Sequence, residues 1–166
     1  MAKSNFERMI QLAEEVFDAR HDPEQLDVNE KVIKRLHKLH PSTLSEYDDG
    51  KGPVAWVLII PTTSGIMQQF IQNKINEKQI LDLTPPDSSY DCIYLCSAMV
   101  LPEFRGKGIA KNLAINAIEN ICTTHPVKTL FVWPFSKAGA ALAQTISKAT
   151  GLTLLQKTSI FDNNLN

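Results

Sequence analysis

Little in this sequence points to a nucleic acid or a membrane. Seventeen lysines and arginines are balanced by eighteen aspartates and glutamates, a formal net charge of −1. No overall positive field therefore recruits a polyanion. No apolar run approaches the ~18 residues that a transmembrane helix needs. The opening MAKSNFERMIQLAEEVF carries acids inside its first apolar stretch, unlike a signal peptide. Cysteine is scarce too: Cys92, Cys96 and Cys122. The first two stand four apart in a segment with strand character, ~13 Å from end to end, too far for a disulfide. Three unpaired thiols suit a reducing compartment, so a cytoplasmic protein is expected. There is no CxxC pair and no HExxH, and the histidines at 21, 37, 40 and 125 are scattered. No metal site is expected from that pattern.

What is present suits one domain over residues 1–166, able to bury roughly 70% of its unfolded surface. Ser4 and Glu7 form a capping box. Behind them Phe6, Met9, Ile10, Ala13, Val16 and Phe17 repeat at helical spacing. A second helix is expected over 29–40, stopped at His40-Pro41. Residues 42–61 read as a hairpin turning at Gly50-Lys51-Gly52, whose second arm is a continuous apolar run. An inserted segment, about 62–89, holds one helix with Ser64 as expected cap and a short turn of helix near 77–83. YDCIYLCSAMVL (90–101) is a buried strand ended by Pro102. A regular amphipathic helix over 106–123 follows, then strand 128–135, a helix capped by Ser136 and ended by Gly151, and one more strand or a tight pair in LTLLQKTSIF. The 90–133 stretch is a strand–helix–strand unit with a parallel pair. The hairpin is antiparallel, so the sheet is mixed, with helices on both faces.

The conspicuous stretch is LPEFRGKGIAKNLA, residues 101–114. Two of only seven glycines sit at a helix start, where four N–H groups lack internal partners and the helix dipole adds about half a positive charge. Gly106 and Gly108 remove Cβ atoms so that a phosphate can approach the backbone, and Arg105 and Lys107 add charge. The pattern describes a pyrophosphate cradle or, more plainly, a flexible soluble helix entry. Walker A spacing is absent. The dinucleotide fingerprint fails at its third glycine, where Lys111 stands.

Strand CIYLCSAMVL, then Arg105-Gly106-Lys107-Gly108-Ile109-Ala110, then an amphipathic helix, resembles the acetyl-CoA signature of the GNAT superfamily of N-acetyltransferases, Arg/Gln-x-x-Gly-x-Gly/Ala. The preceding V-x-P-x-x-R is present at Val100, Pro102 and Arg105. The compatible element order runs from residue 5 to about 157. The resemblance implies an α/β (α+β) fold with a mixed, mostly antiparallel sheet and a splayed parallel strand pair. It implies acetyl-CoA as co-substrate, its diphosphate on the amides of Arg105 to Ala110 and on Lys111. The pantetheine arm is implied to lie against the backbone of Ala98, Met99 and Val100, between strands 90–101 and 128–133. The acceptor implied is a small-molecule or peptide amine, with no nucleic-acid or membrane partner. The oligomeric state stays open, a homodimer included.

The chain also departs from that family. Aligning on Gly151 puts Ala140 where many members carry Asn and Ser147 where they carry the acidic Tyr. The tyrosines here, 47, 90 and 94, all lie earlier. Ser147 is either a hydrogen bonder to the sulfur or a helix-surface serine. Asp91 is the nearest strand carboxylate for a base, or else caps the Ser88-Ser89 turn. Glu46, Asp48 and Asp49 form an acidic rim or a solvated turn. Glu103 reads as surface, Cys96 as a buried structural thiol, and Trp133 as pocket wall or core. Segment 62–89 covers the acceptor site or packs on the sheet. Three functions fit: an N-acetyltransferase, a related module that binds CoA with little turnover, and an unrelated α/β domain. The resemblance favours the first.

Overall fold

A computed structural model describes residues 2–20 and 29–157. The side chain of Phe17, His21 and the last apolar segment beyond Lys157 lie outside the described residues. Helix α1 (Asn5–Arg20) starts at its capping box. Ser4 Oγ accepts from the Glu7 N–H at 3.2 Å, and Glu7 Oε2 accepts from the Ser4 N–H at 3.0 Å. Helix α2 (Glu30–Leu39) is capped by Asn29 and ends at His40. The hairpin is β1 (Leu44–Asp48) and β2 (Pro53–Thr62). Helices α3 (Ser64–Ile71) and α4 (Glu77–Leu83) fill the inserted segment. The cap of α3 is Thr63 and not Ser64: Thr63 Oγ1 accepts from the Ile66 N–H, and Ser64 becomes the first helical residue. Then come β3 (Cys92–Val100), a 3₁₀ turn at Pro102–Phe104, α5 (Ile109–Cys122), β4 (Thr129–Val132), α6 (Lys137–Thr150) and β5 (Thr153–Gln156).

The strand order is β1-β2-β3-β4-β5. The pairs β1–β2 and β2–β3 are antiparallel, β3–β4 and β4–β5 parallel. The second parallel pair comes from the C-terminal strand, whose direction the sequence left open. Helices α5 and α6 cover one face, with Ile118, Ile121 and Ile146 against Val57, Ile59, Ile93 and Leu130. The other face carries α2, α3 and α4, where Leu36, Phe70 and Ile80 meet Leu58, Ile60, Tyr94 and Phe131. At one end of the sheet α1 sets Met9 against Val54 and Leu101.

Two features of β3 prepare a site. Leu58 pairs with Ser97 while Ile59 pairs with Leu95, so Cys96 is an extra residue, a bulge that bends the strand. Pairing with β4 covers only Cys92–Leu95 against Thr129–Val132. β4 gives out before Pro134, which has no N–H for a ladder. Beyond Leu95 the two parallel strands part, and β3 runs on alone on that side to Val100.

Candidate active site

The gap between β3 and β4 opens into a cleft of ≈ 680 Å³ that passes from one face of the sheet to the other. Ala114, Leu142 and Ile146 line it on the α5/α6 side. Cys96, Trp133 and Phe135 line it on the opposite side, together with Leu12 and Val16 of α1.

One mouth is the start of α5. Gly106 and Gly108 have φ of 77° and 76°, left-handed backbone that glycine adopts without strain. Gly108 is the N-cap and offers no side-chain oxygen. The first helical bond is from the Asn112 N–H to the Gly108 carbonyl, 3.0 Å. Among the described residues, the amides of Gly106 to Lys111 have no hydrogen-bond acceptor. Six donors without an acceptor and a helix dipole are thus gathered in one stretch beside two glycines, an arrangement suited to an anion. Of the ten residues that the resemblance assigns to the cofactor, all but Lys107 line the cleft. Lys107 instead holds its ammonium 5.4 Å from the centre of the Phe104 ring.

The strand backbone supplies more donors and acceptors. The Leu101 N–H donates to the Val54 carbonyl at 2.9 Å. Strand alternation then turns the backbone groups of Val100 and Ala98 away from β2, toward the gap. At the α6 side, Ser136 Oγ accepts from the Gly139 N–H at 3.0 Å, so that helix start is already capped.

The two residues named for proton transfer are placed elsewhere. Asp91 sits at the foot of β3, seven residues and roughly 23 Å of strand from Ala98. Its Oδ1 accepts from the Ser64 N–H at 2.8 Å, so it serves α3 and not the Ser88-Ser89 turn. Ser147 Oγ donates to the Leu152 carbonyl at 2.6 Å, fastening the end of α6 to β5. Neither lines the cleft. The acidic rim is structural as well. Asp48 Oδ1 accepts from Gly50 and Gly52 N–H groups, Asp49 Oδ1 from Lys51 N–H and Asn5 Nδ2, and Glu46 from Trp56 Nε1. Glu103 takes a two-pronged bond from Arg8, with Nη2 to Oε2 at 2.8 Å. That bond holds its carboxyl down at about 2.

Cys96 is buried at the bulge and lines the cleft. Cys92 is pushed up to about 12 by burial and by the neighbouring Asp91, so it is no nucleophile. Trp133 is both wall and core: 8% exposed, packed on Phe70 and open to the cleft. No described residue of 62–89 lines the cleft; α3 and α4 pack on the sheet, joined to it by Thr62 and Thr84 hydroxyls 2.6 Å apart.

Sequence reasoning missed Lys157. Its side chain is only 7% exposed, and Nζ lies 4.4 Å from the ring centres of both Phe70 and Trp133. Strand alternation in Leu155-Gln156-Lys157, with Leu155 facing the core, was the signal that could have found it. The buried pair of Tyr94 Oη and Glu77 Oε2, 2.6 Å apart, had no signal in the sequence.

Among the described residues, no group of three or more His, Cys, Asp or Glu is placed to hold a metal, and no helix is long and apolar enough to cross a membrane. Among the described residues, a helix start of free amides leads into a gap between parallel strands. The chain matches the profile of the Acetyltransferase (GNAT) family over residues 6–141, well over half its length, and belongs to that family. Acyl transfer is thus its general chemistry, and the mixed sheet with its parallel pair is the family's fold. Comparison with curated proteins found no match.

Proposed function

We propose that the protein is an N-acetyltransferase that moves an acetyl group from acetyl-CoA to an amine by direct attack. The observation that carries this is the set of acceptor-free amides from Gly106 to Lys111 at the mouth of the strand gap. Those amides, with Arg105 and Lys111, would hold the diphosphate; Lys107 adds charge at the rim. The edge of β3 that β4 leaves uncovered offers the backbone groups of Ala98 and the N–H of Val100 to the pantetheine amides; the Val100 carbonyl is already taken by Arg105. Acetyl-CoA supplies an activated thioester carbon. The amine nitrogen forms its bond to that carbon as the carbon–sulfur bond breaks. Sulfur leaves with the electron pair, and the nitrogen's proton goes to the thiolate or to water.

The chain's own contribution is positioning and electrostatics. Holding two reactants in one gap is worth up to ~7–11 kcal/mol of barrier. One backbone N–H placed at the developing oxyanion contributes about 3 kcal/mol. The proposed setting is the cytoplasm, where the free thiols Cys92, Cys96 and Cys122 stay reduced.

A second reading is a CoA-binding module with little turnover. It is favoured by one observation: among the described residues that line the cleft there is no Asp, Glu, His or Tyr. Calorimetry with acetyl-CoA tests both readings together. Absence of heat and of thermal shift at millimolar ligand overturns them. Thiol release with an amine panel then separates them, since a module binds without releasing CoA.

A further inference from the structure

The wall of the cleft that carries Trp133 and Phe135 has a definite chemistry. Trp133 and Phe135 lie with ring centres 4.5 Å apart. Leu12 and Val16 of α1 line the cleft with them. The Lys157 ammonium lies over the Trp133 ring, 4.4 Å from its centre, and the Phe70 ring centre is at the same distance from it. Among the described residues no carboxylate pairs with Lys157. The charged side chains lining the cleft, Arg105 and Lys111, are both cationic.

Resting on the acetyltransferase reading, we infer that the acceptor is a monoamine with a flat, apolar body that stacks on the Trp133–Phe135 wall, and that polyamines are poor acceptors. The lining of the wall carries the inference. Apolar and aromatic walls gain from desolvating an apolar body and give nothing to a second ammonium. Lys157 acts through Trp133 and is a positioning residue: the ring's negative face is drawn onto the ammonium, which sets the plane that the acceptor meets.

The probes are 2-phenylethylamine and spermidine, used with acetyl-CoA binding measured first by calorimetry. If acetyl-CoA does not bind, the acetyltransferase reading falls, and that result is distinct from the following ones. With acetyl-CoA bound, thiol release should favour 2-phenylethylamine over spermidine by ~10-fold or more in kcat/KM. Trp133→Leu should raise KM for 2-phenylethylamine by ~10-fold while leaving the acetyl-CoA Kd unchanged. In Trp56→Phe, Trp133 is the sole indole, and its emission should shift when 2-phenylethylamine is added to the CoA-loaded protein. Lys157→Met should weaken that shift and Lys157→Arg restore it. Equal or better use of spermidine overturns the inference. So does an unmoved KM in Trp133→Leu, or an emission spectrum that 2-phenylethylamine leaves unchanged.

Discussion

Arg105 reaches back five residues and donates its Nε–H to the carbonyl of Val100 at 2.9 Å. That carbonyl faces the gap, at the end of β3 where β4 no longer pairs with it. One bond thus caps an open strand edge and holds a guanidinium at the mouth of the cleft. Arg105→Ala removes both. Acetyl-CoA affinity should fall by at least ~10-fold, the scale of one charged hydrogen bond. Arg105→Lys should recover only part of it, because an ammonium on a flexible stem cannot keep the Val100 bond and offer a fork of donors together. Titration calorimetry of the three proteins checks the order wild type, Lys, Ala.

Gly108 and Gly151 make a matched pair. Both are left-handed, at φ 76° and 75°, and both flank a helix, yet only Gly108 lines the cleft. A Cβ at Gly108 would meet Lys111 Cε at 3.9 Å, ordinary contact, and one at Gly151 would meet nothing. Either glycine changed to alanine should therefore cost about 1–2 kcal/mol from backbone strain alone, a few degrees in Tm at this size. Only Gly108→Ala should also weaken acetyl-CoA binding. Equal affinity in the two variants, measured beside their melting curves, would remove the cradle from the proposal. A bulkier Gly108→Val adds a larger stability loss, since β-branched residues fit this region worst.

Much of this architecture was legible because each signal was local. Ser4 and Glu7, Ser136, Gly151 and the period of α5 are each fixed within a few residues. The strand ending at Pro102 and the helix entry at Gly106 and Gly108 likewise need only their neighbours. What escaped depends on how the chain folds back or on partners far along it. Asp91 looked like a turn cap because Ser64, its actual partner, is 27 residues away. Ser147 was open between a hydrogen bonder to the sulfur and a helix-surface serine, because only the left-handed turn at Gly151 brings the Leu152 carbonyl back to its hydroxyl. Leu12 and Val16 belong to a plain amphipathic face, and only the placement of α1 over the strand gap brings them to the cleft. Lys157 is hidden in another way: composition assigns lysine to the surface, while strand alternation and two aromatic rings bury it.

Ser147→Ala tests the structural account of that hydroxyl. It should cost about 1 kcal/mol, the usual worth of one such bond, and leave kcat and both KM values unchanged. A large fall in kcat with the fold intact, read from steady-state kinetics beside a thermal melt, would return Ser147 to the chemistry. Asp91→Asn keeps an oxygen for the Ser64 amide and should be milder in stability than Asp91→Ala, again with kinetics unmoved.

One imidazole and one carboxyl group set separate acid limits on stability. The His40 ring lies below its ordinary value, first because burial disfavours the imidazolium and then because His125 is near. Its Nδ1 accepts from the Ser42 N–H at 3.0 Å, so a proton there must break that bond. The unfolded chain binds this proton more readily than the folded one. Stability is thus complete above the unfolded value of 6.5 and declines as pH falls below it. Glu103, held at about 2 chiefly by the Arg8 hydrogen bond, acts lower: its share persists above the unfolded value of 4.5 and is lost between there and about 2. Melting temperature against pH should show a first decline below 6.5, removed in His40→Asn, whose amide oxygen can still accept from Ser42. A second decline below 4.5 should be reduced in Glu103→Gln. If His40→Asn leaves the upper decline unchanged, the imidazole is not its source.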